Sequence, residues 1–153
     1  MTCSTQGVLM ASKVELDNLF MNIAEQVAQM SKSRRTKVGA VVVKDGNIVS
    51  MGWNGTPPGF DNNCEIEEPD GTLTTKACVI HAEANAILKL AARNGGAEGA
   101  DAYCLYSPCP ECSKMVVGSR MKRVIFRHQY RLAEGLDILR EANIEVVHLP
   151  CEN

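Results

Sequence analysis

Cys109 and Cys112, in the stretch "SPCPECSKM" (107–115), set two thiols three positions apart. On a helix that spacing turns both side chains to the same side of one turn. Pro110 suits the first helical position, where a missing N–H costs nothing. The pair is therefore predicted to open a short helix, 110–117, whose positive dipole end favours thiolates. Taken alone, C-x-x-C also fits a redox dithiol, a zinc knuckle or two buried small apolar residues.

A third donor comes from "HAEANAI" (81–87). His81, Ala82 and Glu83 begin a helix after a turn, so their side chains can project past its end toward a common point. A purely structural metal site needs a second close pair of ligands, and the other five cysteines, at 3, 64, 78, 104 and 151, form none. One neutral imidazole and two thiolates balance the charge of Zn²⁺ and leave a fourth position for water, whose pKa then falls to about 7. An acidic residue in a first helical turn is by itself only mildly stabilising. Beside His81 and the downstream P-C-x-x-C, however, Glu83 stands where a proton shuttle is required, and H-x-E…P-C-x-x-C is the signature of zinc deaminases.

The elements that must position these residues are readable from periodicity. Leu16, Leu19, Phe20, Ile23, Val27 and Met30 recur at helical spacing, and Ser12 with Glu15 makes a capping box, predicting a helix over 13–31. Strands follow at 37–44 and 47–53, joined by the hairpin dipeptide Asp45-Gly46. Residues 54–76 are rich in breakers and acidic groups and read as a long functional loop. After it come a helix from 81 to 93, closed by Asn94-Gly95-Gly96, and a strand at 101–106. The helix at 110–117, a strand at 123–126, a helix at 131–142 and a strand at 144–149 complete the pattern. Strands separated by helices imply right-handed parallel crossovers in an α/β fold with helices on both faces.

At 153 residues the chain fits one domain, 1–153, that buries roughly two thirds of its unfolded surface, with 1–12 and 150–153 as flexible tails. A net charge of −2 offers no field for a polyanion, which favours a small substrate over nucleic acid. No signal-like start and no apolar window of about 20 residues is present, so no membrane partner is expected. Seven cysteines, an odd number, suit free thiols or metal ligands in a reducing cytoplasm.

Through "SKSRRTKVGAVVVKDGNIVSMGWNG", "HAEANAI", "SPCPECSKM" and "EANIEV", the sequence resembles the deoxycytidylate deaminases of the zinc-dependent cytidine and deoxycytidylate deaminase superfamily. It is most similar to the bacteriophage branch, which reads "SPCP" where many cellular members read "FPCN". The resemblance covers about 17–149. It implies a three-layer α/β/α fold around a mixed sheet of about five strands, and hydrolysis of dCMP to dUMP with release of ammonia, supplying dUMP for dTMP synthesis. Location would be cytoplasmic, in the host if the chain is phage-encoded.

The family's roles carry over as zinc ligands His81, Cys109 and Cys112, with Glu83 as the proton-transferring acid. Asn54, in "GWNG", matches an asparagine associated with the deoxyribose. Arg35 is the choice for the 5′-phosphate, since its planar fork grips two oxygens. Lys32, Arg34 and Lys37 are alternatives to it. Ala82, Tyr130 and Arg131 match segments near the nucleotide. His128 and His148 read as structural. A second zinc site of the kind some phage members carry would draw on Cys64 or Cys78, and none is expected. Family members form hexamers regulated by dCTP with Mg²⁺ and by dTTP; here Phe60 stands in "NGTPPGF" where a cysteine is usual. Rival readings are a tRNA adenosine deaminase, a riboflavin-pathway deaminase and a zinc-dependent nucleotide-binding module without turnover. The first lacks its basic surface, the second its reductase domain, and the third has no need of Glu83.

Overall fold

The computed structural model describes residues 10–152, so most of the expected N-terminal tail, 1–9, and the final residue, 153, lie outside the described residues. Helix α1 spans Lys13–Ala28 and opens on the expected capping box: the Glu15 N–H donates to Ser12 Oγ and the Ser12 N–H to Glu15 Oε2. It stops three residues earlier than its periodicity suggests. Ser31 instead turns away, and its hydroxyl donates to the Asn54 carbonyl at 2.8 Å.

The buried face of α1 also differs from the expected one. Leu16, Leu19 and Met30 are exposed, while Asp17, Phe20, Met21, Ala24, Val27 and Ala28 are buried. The reason is Gly39: a β-carbon there would overlap the Ala24 carbonyl and lie 2.6 Å from the Ala28 nitrogen. Close approach through small residues, rather than the larger leucines, sets which face of α1 meets the sheet.

Strands β1 (Gly39–Lys44) and β2 (Asn47–Trp53) form an antiparallel hairpin, with Asp45 and Gly46 at φ of 50° and 74° as the dipeptide requires. The segment expected to be a plain loop contains a second hairpin, β3 (Glu65–Glu67) and β4 (Leu73–Thr75). Its breaker-rich composition hides it, because three-residue strands carry too little periodicity to read. This excursion is clasped at its base by paired hydrogen bonds between Gly55 and Ile80.

Helix α2 (Ala82–Ala92) leads to β5 (Asp101–Tyr106), α3 (Pro110–Gly118), β6 (Arg123–His128), α4 (Glu134–Glu141) and β7 (Glu145–His148). The main sheet has the order β2-β1-β5-β6-β7. It is mixed: β5, β6 and β7 run parallel, whereas β1 is antiparallel to both of its neighbours. The helix-linked strands β2 and β5 thus point the same way with β1 between them.

Alternation along the strands builds two cores. Val41, Val43, Tyr103 and Ile125 face α1. Val42, Ala102, Cys104, Val124 and Phe126 face α2, α3 and α4. Helices therefore cover both faces of the sheet, giving the expected three layers.

Candidate active site

Two helix N-termini meet at one place. His81 is the N-cap of α2 and Cys109 the N-cap of α3; neither caps its own helix by a side-chain hydrogen bond, so both side chains are left to point outward. His81 Nδ1 lies 3.5 Å from Cys109 Sγ and 3.4 Å from Cys112 Sγ. The ligating atoms of all three residues fall within 4.8 Å of one another, so the fold brings together the set that the spacing suggested.

The electrostatics of this set call for a cation. Hydrogen bonds from the Cys112 thiol and from His81 pull the Cys109 thiol down to about 3, against its burial. The bond to Cys109 pushes the Cys112 thiol up, and burial and Glu83 add to the effect. His81 is raised by its hydrogen bond with Cys109, burial acting in the opposite sense. Cys109 and His81 thus favour each other's charged forms, while ionising Cys112 as well is opposed by the negative charge already beside it. A soft divalent ion bound by two thiolates and a neutral imidazole supplies the balancing positive charge.

Glu83, in the first turn of α2, is only 7 % exposed. Burial raises its pKa, although its own backbone N–H and the charge on His81 favour the ionised form. The carboxyl opens on a cavity of about 270 Å³ that is also lined by His81, Ala82 and Cys109. The same cavity is lined by Arg35, Asn54, Tyr130 and Arg131, so every substrate-contact residue expected from the sequence lines it. Of the alternatives to Arg35, Arg34 turns to Glu65, Lys32 and Lys37 are exposed, and none of the three is in the lining.

Asn54 is committed on both sides of its amide. Its Oδ1 accepts from the Val38 N–H at 2.8 Å and its Nδ2 donates to the Thr36 carbonyl at 2.9 Å. A second Nδ2 hydrogen is left for a ligand. Tyr130 is held through its backbone N–H, which donates to Ser107 Oγ at 2.6 Å.

Sequence reasoning passed over Ser107 and Thr75, both in the lining. Ser107 opens the same "SPCP" stretch and was accessible as its neighbour. Thr75 reaches the cavity only through the β3–β4 hairpin and carries no local signal.

His148 is structural: its Nε2 lies 3.0 Å from the Arg127 carbonyl oxygen and its ring stacks on Phe126. Among the described residues a second donor group, Glu25, His128 and Cys151, also lies within 4.8 Å. Glu25 also binds the Arg127 guanidinium at 2.6 Å. Cys64 and Cys78 belong to neither group.

Comparison with known proteins agrees with this geometry. The sequence profile of the cytidine and deoxycytidylate deaminase zinc-binding region matches residues 14–128. The chain is 37% identical to the deoxycytidylate deaminase of Enterobacteria phage T4, covering 87% of this chain and 89% of that one. It is 31% identical to the deoxycytidylate deaminase of Saccharomyces cerevisiae, over 85% of this chain and 43% of that longer one. Among solved structures, the dCMP deaminase of cyanophage S-TIM5 in complex with dCMP and dUMP superposes with a TM-score of 0.84 at 42% identity, over 91% of this chain and 100% of that one.

Proposed function

The chain belongs to the cytidine and deoxycytidylate deaminase family, and on that premise we propose that it hydrolyses dCMP to dUMP and ammonia with one zinc ion, the dUMP serving dTMP synthesis. The observation that carries this reading is a single cavity lined at once by His81 and Cys109 of the His81, Cys109 and Cys112 cluster, by the buried carboxyl of Glu83, and by Arg35 and Arg131. A pyrimidine with a 5′-phosphate calls for both kinds of group.

His81, Cys109 and Cys112 would hold the zinc, which when bound lowers the pKa of a coordinated water to about 7. Glu83 moves the protons. Its carboxylate accepts one from the attacking water and passes it to N3 of the base, then takes the proton left on the new C4 hydroxyl and delivers it to the amino group, which leaves C4 as ammonia. A carboxyl whose pKa is raised by burial suits a group that gains and loses a proton in each turnover.

Ala82 offers a first-turn backbone N–H to the base, one of the donors a helix start leaves unpaired. The remaining Nδ2 hydrogen of Asn54 serves the deoxyribose. Arg35 takes the 5′-phosphate, with Tyr130 and Arg131 completing that end.

The whole of 1–153 is read as one deaminase domain. A cytoplasmic location, the host's for a phage-encoded chain, suits the free state of the six described cysteines. No helix among the described residues is long and apolar enough to cross a membrane. Assembly as a homo-hexamer is part of this reading, and exposed Ile48 and Met51 on the edge strand β2, with Leu88 on α2, offer apolar surface for it.

The test is ammonia release by the zinc-loaded protein from dCMP, dCTP, deoxycytidine, cytidine and a tRNA anticodon stem. Preference for dCMP is expected, and turnover of only the RNA or of no substrate overturns the reading. Repeating the assay with dCTP and Mg²⁺, and with dTTP, reads whether the family's effector response is kept with an exposed Phe60.

A further inference from the structure

Glu65 is a carboxylate with 1 % exposure in the part of the chain poorest in core residues. Burial at that depth is costly unless the charge is met by donors. Three donors converge on its Oε1: the Ser33 hydroxyl at 2.6 Å, the Arg34 N–H at 2.9 Å and the Arg35 N–H at 3.3 Å. Its Oε2 lies 3.7 Å from Arg34 Nε. These donors outweigh burial and keep the carboxyl ionised below its ordinary range.

Residues 34 and 35 form a bend between α1 and β1, outside any helix or strand, so no regular ladder fixes their backbone. Glu65 does so instead. The same bend is tied onward, because the Ser33 N–H donates to Ser31 Oγ and the Ser31 hydroxyl donates to the Asn54 carbonyl.

Directly across the β3–β4 hairpin, the partner of Glu65 in register is Thr75. Thr75 Oγ1 accepts from Arg35 Nη1 at 2.9 Å. One cross-strand pair thus holds Arg35 twice, at its backbone and at its guanidinium, while drawing Arg34 away from the cavity that Arg35 lines.

We propose that the cross-strand pair Glu65 and Thr75 is the positioning element that presents Arg35 to the 5′-phosphate, and so sets the preference for a nucleotide over a nucleoside. This rests on the reading of Arg35 as the phosphate ligand. An arginine held before the ligand arrives loses less side-chain freedom on binding, and the gain appears as affinity. Only a phosphorylated substrate benefits, since a nucleoside has nothing to offer the guanidinium.

Steady-state kinetics of the zinc-loaded full chain with dCMP and with deoxycytidine test this. Thr75→Val is expected to lower the dCMP-to-deoxycytidine ratio of kcat/KM by about fivefold, the loss of one solvent-exposed hydrogen bond, mostly through KM for dCMP. Thr75→Ser, which keeps the hydroxyl, is expected to restore it. Glu65→Gln should lower the ratio by about tenfold.

Arg35→Ala separates the two levels. If it leaves the ratio at the wild-type value, Arg35 is not the phosphate ligand and the underlying reading fails. If it collapses the ratio while Thr75→Val and Glu65→Gln retain it, the positioning role alone is overturned. A lower melting temperature with an unaltered ratio in both hairpin variants marks a purely structural pair and is equally fatal. Should Glu65→Gln fail to fold, the Thr75 variants decide.

Discussion

Gly52 of β2 packs directly against Ala82, the first residue of α2: a β-carbon at Gly52 would overlap the Ala82 carbonyl oxygen and lie 2.5 Å from the Ala86 nitrogen. Strand and helix backbones are in contact at the turn that carries His81 and Glu83. Gly52→Ala must push α2 outward, at about 2 kcal/mol of overpacking, and shifts the imidazole away from the two sulfurs. Zinc bound per chain and activity are expected to fall together, measured by elemental analysis and ammonia release. Full zinc loading with wild-type turnover would show that α2 does not need this close approach.

The two cysteines depend on each other's charge. In Cys109→Ser the hydroxyl ionises too weakly to act as an anionic donor, and the remaining imidazole and one thiolate make an incomplete set. Stoichiometric zinc is expected to be lost while far-UV circular dichroism keeps its native shape, because both cores are built by other residues. A variant that retains one zinc per chain against a chelator contradicts the ligand assignment.

Glu83→Gln separates metal binding from chemistry. The amide fills the same buried space and leaves His81, Cys109 and Cys112 untouched, so zinc content should stay at the wild-type level. It cannot exchange protons, and the deamination rate is expected to drop by roughly 10²–10⁴. Turnover within a few fold of wild type would remove Glu83 from the proton path.

The cluster of His81, Cys109 and Cys112 beside Glu83 was legible because each half is a local pattern: a donor at a helix N-cap, with the next residues winding away from it. Both helix starts then follow from the strand and turn pattern, which fixed nearly all of the main sheet. What stayed hidden is held by contacts between distant short segments. Glu65 lies 32 positions from Ser33 and 10 from Thr75, in a stretch whose composition resembles a loop. The buried face of α1 was misjudged for a related reason. Its orientation is set by Gly39, whose missing side chain draws Ala24 and Ala28 inward, and periodicity weighs leucines above alanines.

Acid should weaken the α1 face of the molecule. Asp17 is buried beside Arg123, whose Nη2 donates to Asp17 Oδ2 at 2.8 Å, and Tyr103, whose hydroxyl donates to Oδ1 at 2.6 Å. Burial opposes the charge on Asp17, but the hydrogen bonds from Arg123 and Tyr103 outweigh it and hold the carboxyl below its ordinary value of 3.8. The unfolded chain, with the ordinary value, takes up its proton first as pH falls. The resulting stability is therefore fully present above about pH 5 and is lost as pH descends through the native value. Asp17→Asn should cost about 3 kcal/mol at neutral pH, since Arg123 keeps Asp101 and Glu145 but loses its closest partner. Thermal melts between pH 7 and pH 3 should show wild type losing its advantage over the variant on the acid side. Two parallel curves would mean that Asp17 titrates alike in the folded and unfolded chain, contrary to its hydrogen bonding.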